Sequence, residues 1–177
     1  MDSMPIFAQR GKQAYSSRAT VLRSNAVVAD FISGAVEWLS PAAASDHWDL
    51  VEGQGSLFHP SFAGVSLGLL HGAQPDAFVV CHEPTRKKMR GVEHQLPSIA
   101  ELIDLTIRCG RLTNPGIRPV GIAINTQALC NEEAQTYLAK TVAEHDLPAT
   151  DPVRYGVEAI IDALERAFPQ RSRSAAE

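Results

Sequence analysis

The sequence predicts an α/β fold, with a parallel sheet covered by helices on both faces. Three observations carry that reading. Strand-length apolar runs, WDLVE, AFVVCHE and RPVGIAIN, alternate with segments of helical periodicity. The middle run is apolar at consecutive positions rather than at every second one, as expected of a strand buried on both faces. The stretches between the runs are long enough for the right-handed crossovers that parallel strands need.

Each element can be justified in turn. Residues 1–20 show no clean periodicity and carry Arg10, Lys12 and Arg18 among Ser, Gln and Gly, so they are expected to be irregular. Ser24 is placed to cap a helix in which Val27, Val28, Phe31, Ile32, Ala35, Val36 and Leu39 recur at helical spacing, and Pro41 closes it. An Ala/Ser loop reaches Asp46. Residues 48–52 form the first strand, and a helix runs from Pro60 to near Gly72. Residues 77–83 form the second strand, which Pro84 stops. Ser98 and Glu101 make a capping box that opens the helix IAELIDLTIRCGRL. Residues 118–125 form the third strand. Asn131 is expected to cap a helix through about His145. Residues 148–153 read as a short extended piece and residues 157–168 as the last helix. One α/β domain therefore spans 21–168, and 169–177 is a polar, disordered tail.

Composition excludes several function classes. The chain has 177 residues, 45% of them hydrophobic and 20% charged, with a formal net charge of -4. That balance gives nucleic-acid binding no global electrostatic support. No apolar run approaches the roughly 18–20 residues that cross a bilayer, and the first twenty residues lack the apolar core of a secretory signal. Cys81, Cys109 and Cys130 form no CxxC and no paired framework, which reads as reduced thiols in a cytoplasm.

In open parallel sheets, ligands sit beyond the carboxyl ends of the strands. The residues there are Glu52-Gly53-Gln54-Gly55-Ser56, His82-Glu83-Pro84, Asn125-Thr126 and Asp151-Pro152. Gly53, Gly55 and Ser56 suit a turn whose free N–H groups cradle an anion, with a helix start behind it. Glu52 could hold magnesium directly or through water. Its bland alternative is a solvated carboxylate beside a structural turn. His59 and Ser56 fit no nucleophile elbow, which leaves His59 between a catalytic base and a cap of the turn. His82 opens a basic cluster in which Arg86 and Arg90 could grip a carboxylate or phosphate, against the bland reading of a solvated charge run. The amide of Asn125 could read an adenine edge. Asn-Thr and Asp-Pro are also ordinary turn dipeptides.

The runs VVADFISGAVE, VEGQGSLFHPSFAGVSLGLLHGAQPDA, CHEPTRKKMRG, VGIAINT and DPVRYG together resemble a prokaryotic family of two-domain proteins, over residues 21–168. Its members join a Rossmann-like domain to a C-terminal P-loop domain similar to dethiobiotin synthetase, and some are D-glutamate N-acetyltransferases. The resemblance implies a P-loop NTPase-like fold that is incomplete on its N-terminal side, because no GxxxxGK[ST] occurs here. Lys12 follows Gly11, but Gln13 stands where the hydroxyl residue belongs and Ile6 where the earlier glycine belongs. The expected open sheet edge argues for a homo-oligomer. The resemblance further implies a small anionic substrate such as D-glutamate and a cofactor that is acetyl-CoA or ATP with magnesium. It would place Glu52 near the metal, Asn125 at the base, and the Asp151–Arg154 loop against it. The competing classes are an ATP/magnesium ligase or kinase-like enzyme and a non-catalytic fragment or interaction module.

Overall fold

The computed structural model describes residues 4–10, for which only the backbone is considered, together with 28–44 and 47–169. Five strands form one sheet in the order β2-β1-β3-β4-β5: β1 (Met4–Arg10), β2 (Trp48–Glu52), β3 (Ala77–His82), β4 (Arg118–Ile124) and β5 (Ala149–Thr150). β3, β4 and β5 pair in parallel. β1 lies between β2 and β3 and runs antiparallel to both, so Ile6 stands opposite Glu52 on one side and Val79 on the other. The three strands expected from the sequence therefore share one direction, and β2 reaches β3 only through β1.

That inserted strand corrects two expectations. Residues 4–10 are not irregular, and the slot beside β3 is filled, so the argument for self-association through an open slot fails. The pairing is non-local, which is why no local pattern announced it. Ser24, Lys12 and the tail from residue 170 lie outside the described residues.

The steps from β2 to β3, β3 to β4 and β4 to β5 all advance in one direction across the sheet. Right-handed crossovers then place their helices on one face. α2 (Ala63–Ala73), α3 (Ile99–Gly110) and α4 (Asn131–His145) accordingly bury Leu70, Leu102 and Leu138 against Phe78, Val80, Ile122 and Ile124. α6 (Glu158–Ala167) covers the opposite face, where Leu164 and Phe168 meet Ala77 and Val120. The β3–β4 register slips at Phe78/Val79, a bulge that leaves Val120 without an opposite partner. Val120 and Gly121 then both meet α6. A Cβ at Gly121 would stand 2.8 Å from Ile160, so only glycine admits the helix this closely.

α1 (Ile32–Leu39) stacks on α2. Its buried side chains are Ile32 and Val36, whereas Val28 and Phe31 are 66% and 63% exposed. The tighter winding of the 3₁₀ turn Ala29–Phe31 shifts the phase of the expected apolar stripe and carries Phe31 outward. Gly72 permits the stacking, because a Cβ there would lie 2.3 Å from the Ser33 carbonyl oxygen. The α3 capping box forms as expected: Glu101 N–H donates to Ser98 Oγ at 3.2 Å and Ser98 N–H donates to Glu101 Oε2 at 2.8 Å. α4 starts one residue earlier than expected, with Cys130 rather than Asn131 as its cap.

Candidate functional site

A cleft of about 510 Å³ opens beyond the carboxyl ends of β3, β4 and β5. Its walls come from Cys81 and His82 on β3, Ala123 and Ile124 on β4, and the loops carrying Asn125, Gln127 and Val153. A shallower extension reaches Thr85 and Ala128 and shares Glu83, Asn125 and Gln127 with it. The strands do not reverse their order here, so the cleft owes its depth to the loops rather than to a switch point.

One buried carboxylate shapes those loops. Asp151 Oδ2 accepts from the N–H of Thr126 at 2.9 Å and from the Thr126 hydroxyl. Its Oδ1 accepts from Val153 N–H at 2.9 Å and Arg154 N–H at 3.3 Å, capping the four-residue helix α5 (Pro152–Tyr155). Burial pushes the Asp151 carboxyl up, but these bonds together outweigh it and hold the group below the ordinary carboxylate range. The Arg154 guanidinium donates to the carbonyls of Thr126 and Leu129 at 3.1 and 2.8 Å, which closes the same loop from outside. Asn125 N–H donates to the His82 carbonyl at 2.8 Å, and its side-chain Oδ1 accepts from Gln127 N–H at 3.0 Å. The amide orientation is thus set by its own turn, with the NH₂ as the group this turn does not use.

His82 ends β3 on the face of Phe78 and Val80 and meets the cleft. Burial lowers its affinity for a proton below that of an ordinary histidine, with Glu83 opposing. Cys81 points to the opposite face of the sheet and still lines the cleft at the strand end. Burial, then the charge of Glu52, pushes its thiol up to about 11, so it stays protonated at neutral pH and is a poor nucleophile.

The description "Domain of unknown function (DUF1611_C) P-loop domain" matches residues 7–161. The chain belongs to the DUF1611 family. A D-glutamate N-acetyltransferase from Tritonibacter scottomollicae is 49% identical over 141 residues, which cover 79% of this chain and 42% of that protein. Another of the same name from a Pseudoalteromonas species is 51% identical over 139 residues, covering 78% and 42%. A crystal structure of a DUF1611 family protein from Anabaena variabilis superposes with a TM-score of 0.70 at 32% identity, over 81% of this chain and 42% of that one. The chain thus spans about two-fifths of the length of these relatives. The α/β architecture agrees with a P-loop NTPase-like fold.

In this DUF1611 chain the cleft unites Asn125 with His82, as the strand-end argument expected. It does not gather the VEGQG turn. Glu52 is exposed, while Gly53, Gly55 and Ser56 are buried and none of the four lines the cleft. Gly55 carries a φ of 152°, and its carbonyl accepts from the buried Ser66 hydroxyl at 2.9 Å. Ser56 Oγ accepts from Phe58 N–H at 3.1 Å. Gly55 thus answers to packing against the start of α2, and the Ser56 side chain to its own turn. Among the described residues no group of three or more His, Cys, Asp or Glu could hold a metal, so Glu52 has no such ligand set around it. No helix among them is long and apolar enough to cross a membrane.

His59 is 2% exposed and both its ring nitrogens are engaged by backbone. Nδ1 accepts from Ser61 N–H at 3.1 Å, which makes Nε2 the donor to the Arg90 carbonyl at 2.9 Å. This leaves neither nitrogen for proton transfer, and His59 instead ties the turn to the basic loop. Arg86 pairs with Glu83 at 2.9 Å and does not itself line the cleft. Arg90 sits on an exposed hairpin closed by Leu96 N–H donating to Lys87 O at 3.0 Å. Sequence reading named Glu83 only as the residue after His82 and passed over Gln127 and Tyr137. Gln127 was signalled only by standing close beyond a strand end. Tyr137 lies one turn from Ala134 and Thr141 on the inward stripe of α4.

Proposed function

We propose that this chain is the cofactor-binding part of an N-acetyltransferase that acylates an acidic amino acid such as D-glutamate, with acetyl-CoA as donor. The cleft at the strand ends is the observation that carries the reading. It combines apolar walls suited to a flat ring or an acyl chain with the amide of Asn125 and the imidazole of His82. The names of the two relatives supply the reaction type and the amino acid. The relatives' names favour acetyl-CoA over ATP with magnesium, because N-acetyl transfer needs an acetyl donor.

Acetyl-CoA, when bound, supplies a thioester carbonyl for the amine to attack. His82, whose proton affinity burial lowers, would take the proton that the amine sheds as the new N–C bond forms, and would pass it to the CoA thiolate released as the thioester C–S bond breaks. Arg86 receives a substrate carboxylate by exchanging it for that of Glu83. Asn125 donates to an acceptor on the cofactor's ring.

Thermal shift with acetyl-CoA, ATP–magnesium and D-glutamate tests the binding. Acetyl-CoA at a hundred times its Kd should stabilise the chain by about 2.7 kcal/mol, a rise of roughly 5–10 °C for a protein of this size. A thiol-release assay with D-glutamate and with L-glutamate tests the chemistry, and His82→Gln should cut turnover by roughly 10²–10⁴-fold without changing acetyl-CoA affinity. A shift with ATP–magnesium and none with acetyl-CoA would replace this reading with a ligase or kinase-like one. Binding without turnover would leave a cofactor-binding module.

A further inference from the structure

Strand alternation decides where the His82 ring goes. His82 shares its face with Val80 and Phe78, the face on which α4 lies. Tyr137 projects from the inward stripe of α4 against the same core. The two rings lie 6.5 Å apart between centroids with their planes only 12° from parallel. This is within the range of offset aromatic pairs, which hold each other's plane while remaining free to slide. Near-parallel planes at this separation mean that the rings are offset, so Tyr137 lies beside one face of an imidazole that itself lines the cleft.

We infer that Tyr137 is a positioning residue for His82, its flat ring fixing the plane of the imidazole and keeping water from one of its faces. This rests on the reading of His82 as the proton acceptor. The phenol group is not what acts. The Tyr137 side chain is partly buried, and its hydroxyl is held in the un-ionised form by burial and by the charge of Glu144. A ring that shields without hydrogen bonding is replaceable by phenylalanine and not by an aliphatic residue of similar volume. Other charged or titratable groups around the pair are Cys81 and Glu83, the latter with its ion pair to Arg86, on the same segment, Asp151 and Arg154 from the loop across the cleft, and Glu144 on α4, whose charge reaches Tyr137. None of these changes when Tyr137 is replaced, so the comparison between variants isolates the ring.

The test is the titration of His82 followed by NMR in the full chain labelled on its six histidines, with the His82 signal assigned from the His82→Gln spectrum. Wild-type His82 should titrate below an ordinary histidine. Tyr137→Phe should leave that midpoint in place. Tyr137→Leu should move it up toward the ordinary value, because water then reaches the uncovered ring face and favours the charged form. Tyr137→Met serves in the same way if the leucine variant does not fold. An unchanged midpoint in a folded leucine or methionine variant would overturn the inference, and so would a phenylalanine variant as disturbed as the leucine one. The readout needs no turnover. A chain that titrates as described but transfers no acetyl group would sink the acyltransferase reading and leave the pairing of Tyr137 with His82 standing.

Discussion

Replacing Asp151 by Asn should destabilise the fold by about 2–3 kcal/mol at pH 7, and the number follows from a count of donors. Four donors converge on this carboxylate: the N–H and hydroxyl of Thr126 on one oxygen and the N–H groups of Val153 and Arg154 on the other. An amide supplies one oxygen in place of two. If its NH₂ faces Thr126, the hydroxyl can turn and accept from it, but the buried Thr126 N–H meets a donor and is orphaned. If the amide flips, the first turn of α5 loses its cap instead. An orphaned buried donor costs about 1–3 kcal/mol, and the bonds that remain lose their charge assistance. Urea unfolding of both chains measures the gap. The pH dependence adds a sign. The folded-state carboxyl is held below its ordinary value, so its stabilisation is fully present above the unfolded value of about 3.9 and is lost as pH falls through the folded one. The gap between wild type and Asp151→Asn should therefore be flat near neutrality and narrow in that acid window. A gap under about 0.5 kcal/mol at pH 7, the size of an ordinary surface change, would refute the argument.

Two further outcomes follow from local geometry. Gly72→Ala should lower stability by about 1–3 kcal/mol despite alanine's better helix propensity, because the added methyl meets backbone at Ser33 that cannot rotate away; urea midpoints measure it. Cys130→Ser should raise stability by about 0.5–1 kcal/mol in the same assay, since the thiol caps Glu133 N–H at 3.5 Å and a hydroxyl is the better acceptor for an N-cap.

β3 and β4 were legible because burial on both faces writes itself as a nearly unbroken apolar run, whereas β2 is an edge strand with Asp49 buried and Leu50 exposed and was marked only by its short run before the glycine turn. α3 was legible because its cap and periodicity agree. β1 was not, since its partners lie far along the chain and an inserted strand needs no pattern of its own. α5 was hidden because four residues cannot show a period. The strand-end rule pointed to His82 and Asn125, which line the cleft. It also nominated Glu52, Gly53, Gly55, Ser56 and His59, which have the right residue types. Whether a glycine turn opens to a ligand or folds down onto a helix depends on Phe62 and Ser66, and whether a histidine is a base depends on which backbone groups occupy its nitrogens. Neither is a property of spacing.

The placement of β1 also bears on how the sheet comes to exist during synthesis. Chains emerge from the ribosome in sequence order, and local units can form as soon as they are out. β3, α3, β4 and α4 follow one another directly and can assemble in that order. β1 comes out before any of them, yet Met4 has no partner until Cys81 has appeared, and Ile6 needs both Glu52 and Val79. Its backbone groups must remain solvated throughout that interval. Strand insertion is then a late, joint event that fastens β2 to the remainder in one step, and slowing translation between residues 52 and 82 would prolong the time during which an unpaired strand is open to capture by another chain.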